Sequence, residues 1–236
     1  MSNIQPLDNN AHAELRVLAR HDAALGDGVN QMPILATEFE EAQRHYPILF
    51  MKDESGHLHA LAILGFERDE NLFLKDGGWD GYIPAIVRRG PFLIGKGETE
   101  DPVILVDLDH PRIHAAQAGE GLPVFLEHGG HAPVLEMALG ALRAIHVGSQ
   151  LAAPMQQMFE ELGLIEEADI TVELDAETAM NFEGYHVVTH ERIDALDGAA
   201  LERLNRAGLL MPAILAASSL YNVQPLVMRK RAKAPA

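Results

Sequence analysis

The chain has 236 residues, 47% of them hydrophobic, enough to bury a core of domain size. It carries 18 basic against 35 acidic residues, and the formal charge of -17 opposes approach to a phosphate backbone, which argues against nucleic acid as a partner. With no cysteine, disulfides, thiolate zinc sites, iron–sulfur clusters and cysteine nucleophiles are excluded together.

The first residues, MSNIQPLDNNAHAELRV, lack a basic start followed by an apolar core, so they do not read as a secretory signal and a cytoplasmic location is expected. Residues 1–32 are polar and rich in Asp and Asn, the composition of an N-terminal arm. Apolar runs at 47–51 and 58–66 flank the turn-forming KDESGH and predict a β-hairpin. A short strand at 71–74 precedes the loop KDGGWDG, where Trp79 lies among three glycines. Strands are expected again at 92–94 and 103–106, and all of these together suggest one mostly antiparallel sheet.

After Pro123 the period changes, with Leu135, Ala138, Leu139, Leu142 and Ile145 at helical spacing behind Pro133. Pro154 opens a shorter helix that Gly163 is placed to stop. Strand patterns return at 170–174 and 185–189, completing the sheet. From Ala199 a helical pattern runs onward, divided or kinked at Gly208 and Pro212. The apolar stretch 209–221 is too short for a membrane span, so a chain that does not span a membrane is expected. The whole reads as an α+β chain, a mostly antiparallel sheet covered by helices with a C-terminal helical segment. Residues 33–228 form a single domain in this reading, and 229–236 a basic tail.

HYPILF at 45–50, LGF at 64–66, NLFL at 71–74 and YIPAIVRRGPF at 82–92 together resemble the SapC family. GYHVVTHERIDAL at 184–196 and AALERLNRAGLLMPAILAASSLYNVQPLV at 199–227 extend the similarity across most of the chain. The resemblance implies a link to the bacterial envelope or surface layer without a defined molecular activity, and it supplies no catalytic residues. The peptide-transport permease that shares these letters is a different protein.

Trp79, Arg88 and Arg89 are the candidate binding residues. An indole face in a glycine-rich turn can hold a sugar or a cation, or simply cover a sheet edge. An arginine fork before Gly90–Pro91 can take a carboxylate or phosphate, or pair with one of the chain's own acids. His110, His114, His128 and His131, near Asp107 and Asp109, are the candidate metal ligands, of a chemistry that suits zinc, iron or manganese. The glycine pair in HGGH, however, does not fix both rings on one ion. His12-x-Glu14 has the spacing of two ligands of a facial iron triad but lies on an arm without rigid support, and the alternating His57 and His59 lack a third ligand. No GxSxG, SxxK, P-loop or GxGxxG is found, and Ser218–Ser219 fit a helix that packs closely. The expected function is therefore a non-enzymatic accessory or binding protein of the SapC type, without a cofactor, acting on a protein partner or small ligand. The rival reading is a metal-dependent oxygenase or hydrolase on residues 107–131, and a third is a homo-oligomer.

Overall fold

The computed structural model describes residues 3–96, 102–114, 119–173 and 179–233. Helices and antiparallel strand pairs give an α+β protein with a C-terminal helical segment. The chain divides into two compact units, one of Met1–Gly28, Leu74–Trp79 and Ala85–His146, the other of Val29–Phe73, Asp80–Pro84 and Val147–Ala236. The strands expected in one sheet are accordingly shared between separate sheets.

In the first unit, strands Ile4–Pro6, Pro102–Asp107 and Phe92–Lys96 lie side by side in that order. Phe92 opposes Val106 and Ile94 opposes Ile104, so alternate apolar residues fall on one face. Phe92 and Val106 are buried in a core with Val124, Leu135 and Leu142. Leu135 and Leu142 come from the helix Pro133–Ser149, whose periodic apolar face was legible in sequence. A second hairpin, Leu74–Lys75 with Gly78–Trp79, turns on Asp76 and Gly77, both at positive φ (50° and 76°), the pairing that a type I′ turn requires. Trp79 therefore stands on a short strand rather than in a glycine-rich loop.

The polar N-terminal residues differ from the expected arm. Ile4 pairs with Asp107, Arg16–Val17 pairs with Leu122–Pro123, and Val17, Leu18 and Leu25 are buried. A few well-spaced apolar side chains suffice to fix a segment whose average composition is polar. His12 is also buried, its Nδ1 accepting the Asp8 N–H at 3.1 Å, so the His12-x-Glu14 spacing serves a local turn.

The second unit is built on a five-stranded sheet in the order Ile165–Glu173, Ala179–Val188, Ile48–Lys52, Leu58–Ile63, Gln31–Ile34. The hairpin expected from KDESGH is present, with the Asp53 carboxylate accepting N–H bonds from Ser55 and His57 at 2.9 Å. Asp53 also bonds the His59 ring at 2.8 Å, and this bond, followed by the His57 N–H, holds its carboxyl down to about 2. The late strand pair is longer than its sequence pattern suggested, and Leu174 lies outside the described residues. Helix Ala152–Glu161 packs on Leu58–Ile63, and helix Leu210–Ser219 packs on Ile48–Lys52 and Ala179–Val188.

Gly208, at a φ of 70°, divides the last helices, whereas Pro212 sits in the first turn of Leu210–Ser219 and causes no break. Ser219 is fully buried: its Oγ donates to the Ala216 carbonyl and accepts the Ile48 N–H at 2.8 Å. A 3-10 turn at Leu220–Asn222 carries the helix on into Val223–Lys233. The resulting run Leu210–Lys233 is long and apolar enough to cross a membrane by length and composition, its most apolar 18-residue window having mean hydropathy 1.2 with 39% of that window buried within the protein. The basic end is docked rather than trailing. Arg229 bonds Asp80 at 2.8 Å and lies 4.4 Å over the Phe73 ring, while Lys230 reaches Glu67 and Glu70 at 2.7 Å. Residues 234–236 of the expected tail lie outside the described residues.

Candidate functional site

Polar side chains gather in the first unit around the end of strand Pro102–Asp107. One of them, Arg112, is buried in the helix Pro111–His114, which packs against the strand Arg16–Val17 and the 3-10 turn Ala23–Leu25. Its Nη2 donates to both Asp27 oxygens, at 2.8 and 2.7 Å, with the two side chains only 6% and 5% exposed. Its Nη1 donates to the carbonyls of Leu18, at 3.2 Å, and Arg20. Burial alone would raise the Asp27 carboxyl, but the hydrogen bond from His21 and the charge of Arg112 outweigh it and hold the group below 3.8. His21 Nδ1 lies 3.3 Å from Asp27 Oδ2, and its ring meets Trp79 edge-on, centroids 5.6 Å apart. The His21 N–H donates to Gly77 O, tying this loop to the Trp79 hairpin.

Outward from this locked pair lies a second trio. The helix Ala85–Arg88 ends in a turn in which the Arg89 N–H reaches Ala85 O and the Phe92 N–H reaches Arg89 O. Pro91 O accepts the Asp107 N–H at 2.9 Å, which brings the Arg89 turn and the acidic strand end to one corner. Arg89, Asp107 and His110 are all half-buried there. Arg89 Nη1 is anchored on Phe92 O at 2.9 Å, with a longer contact to Gly90 O, and its Nε–Nη2 edge has no protein partner among the described residues. Asp107 Oδ1 accepts the Asp109 N–H at 3.1 Å, leaving Oδ2 unengaged by the described residues.

His110 Nδ1 accepts the Arg112 N–H at 3.1 Å, which assigns the ring proton to Nε2. Burial, then the charge of Arg112, pushes the His110 pKa below 6.5, and Asp107 only partly opposes them, so the ring is a neutral donor. Burial likewise lowers the Arg89 pKa against the pull of Asp107, yet an arginine stays cationic.

The sign of the His110 effect follows from proton counting. Near pH 6.5 and below, the unfolded chain binds a proton that the folded ring resists, so stability is full above 6.5 and falls as the pH drops through that value. His110→Gln is expected to flatten the acid side of the stability profile, read from urea midpoints between about pH 5 and 7. A profile unchanged by the substitution would contradict a neutral, buried ring.

Among the residues proposed from sequence, Trp79 and Arg89 both belong to this polar region, Trp79 through His21 and Arg89 through Asp107. Arg88, one residue before, is exposed. The candidate histidines with described side chains have separate surroundings. His110 faces the arginines, His128 is exposed on a turn, and His131 bonds Glu136 at 2.9 Å. The side chain of His114 lies outside the described residues. Among the described residues no group of three or more His, Asp or Glu is placed to hold a metal ion. His57 and His59 share the single carboxylate of Asp53, at 3.5 and 2.8 Å. A small, open apolar recess in the second unit, lined by Leu49, Ile63, Phe66, Val172, Val223 and Leu226 among others, presents no polar surface.

Sequence reasoning passed over Arg112, Asp27 and His21. Their only sequence signal is an arginine behind Asp-His-Pro and an aspartate in a polar stretch, neither unusual. No curated protein and no solved structure matches the chain. The SapC family model matches residues 7–226 of the 236, which takes in every side chain of the polar cluster. The chain is a member of the SapC family.

Proposed function

We propose that this SapC-family chain is a non-enzymatic binding protein, an accessory of the cell envelope or surface layer, whose first unit takes the acid group of a small ligand at Arg89. One observation carries the reading: a half-buried guanidinium is pinned through Nη1 while its Nε–Nη2 edge has no protein partner among the described residues. That edge is the fork that meets a carboxylate with two parallel hydrogen bonds. His110 adds a neutral Nε2–H donor at the same corner, and the buried Arg112–Asp27 pair fixes the backbone from which His110 projects. Asp107, beside the guanidinium, disfavours a doubly charged phosphate and favours a singly charged acid.

Arg89→Met keeps the stem and removes the fork. Acetate, followed by nuclear magnetic resonance titration of the full chain, is expected to bind wild type saturably and Arg89→Met at least about tenfold more weakly, the scale of a lost charge-assisted hydrogen bond. Equal binding by the two proteins would remove Arg89 from the site.

A further inference from the structure

The geometry points to a free α-amino acid as the ligand of the Arg89–Asp107–His110 corner, an inference that rests on the binding reading above and specifies its ligand. Arg89 and Asp107 are brought to one corner by the main chain, through the Pro91 O to Asp107 N–H bond and the Phe92–Val106 pairing. Both are half-buried and carry opposite charges, yet they form no ion pair with each other among the described residues. Each has given up part of its hydration, and their attraction acts across a gap rather than through a direct ion pair among the described residues.

A plain anion that satisfies Arg89 meets the negative charge of Asp107, and a plain cation at Asp107 meets Arg89. A zwitterion whose ammonium is one carbon from its carboxylate meets both. In this arrangement the carboxylate takes the Nε–Nη2 edge, the ammonium donates to Asp107 Oδ2, and His110 Nε2–H contributes a donor without adding charge. The charge of the whole chain favours the same class, because a protein at -17 repels an anion at long range and does not repel a neutral zwitterion. A peptide separates its two charges by roughly 3.5 Å more for each added residue, so a dipeptide is expected to bind more weakly than the free amino acid.

Isothermal titration calorimetry on the full chain tests this with L-leucine, L-serine, L-glutamate and L-phenylalanine, each beside the same acid lacking its amino group. The expected result is that at least one amino acid binds about tenfold or more tightly than its des-amino analogue. Asp107→Asn should erase that difference and leave the analogue's affinity in place, and the methyl ester of the same amino acid should bind wild type about tenfold or more weakly than the free acid does. The ester control involves no change to the protein, so it stands whether or not a variant folds well. Des-amino acids binding as tightly as the amino acids, with Asp107→Asn silent, would overturn the amino-acid assignment while leaving an acid site at Arg89. No binding of any acid, acetate included, would overturn both.

Discussion

Arg112→Met is expected to destabilise the first unit by about 3–5 kcal/mol, the cost of leaving one member of a buried ion pair without its partner. The pair is nearly solvent-free and doubly bonded, and Arg112 also donates to two backbone carbonyls, so the substitution removes the cationic partner of Asp27 and the donor to Leu18 O and Arg20 O together, leaving Asp27 with the Asp22 N–H and the His21 ring. Asp27→Asn should cost less than the arginine change, because the amide oxygen still accepts from Arg112. The double variant Asp27→Asn with Arg112→Met should recover part of the loss, since the buried carboxylate is gone. Trp79 is the only tryptophan and belongs to this unit, in edge contact with His21, so its fluorescence in urea reports this unit in particular. A loss under about 1 kcal/mol would mean that the pair behaves as a solvated surface bridge. The functional consequence is indirect but specific: the Arg112 N–H sets the His110 tautomer, so a loosened Arg112 segment should also weaken acetate binding.

Phe50→Ala is expected to cost a similar amount in the second unit, about 3–5 kcal/mol, from lost apolar contact plus the cavity left behind. Phe50 is fully buried on strand Ile48–Lys52, with the Phe39 ring 6.1 Å away at 69° and the Phe159 ring 6.3 Å away at 76°. The ring thus joins the short helix Phe39–Ala42 and the helix Ala152–Glu161 to the sheet, and truncation removes edge-to-face contacts on both sides. Thermal unfolding followed by far-ultraviolet circular dichroism measures the loss. A penalty below about 1.5 kcal/mol would show that the two helices close over the gap. Acetate binding at Arg89, in the other unit, should survive this substitution under conditions where the variant is folded.

Elements written in local periodicity were legible. The helix Pro133–Ser149 announced itself through apolar spacing behind a proline, and the hairpin Ile48–Lys52 with Leu58–Ile63 through apolar runs around a turn. Strand order was not legible, because the five-stranded sheet is assembled from segments as distant as Gln31 and Val188, and no local pattern specifies such pairing. The same limit applies to the site. Trp79 and Arg89 stand out by residue type and by the turns beside them, and both belong to the polar region. Their partners do not stand out: Arg112 and Asp27 are 85 residues apart in sequence, and neither has an unusual neighbour. His110 drew notice as a metal ligand because histidines and aspartates cluster nearby, whereas its ring engages the main chain of Arg112 and faces two guanidinium groups. The N-terminal segment was obscured by its average polarity, although Ile4, Val17 and Leu25 mark where it pairs or packs.

In the proposed function Arg89 and His110 form one acid-binding corner. It is tested most directly by following the Arg89 Nε–H and His110 ring signals together while an acid is titrated into the full chain. Acetate, and more tightly an amino acid, should shift both signals along a single saturation curve. The rings of His128 and His131 should stay in place. Saturable shifts confined to other residues, or an Arg89 signal that never moves, would contradict it.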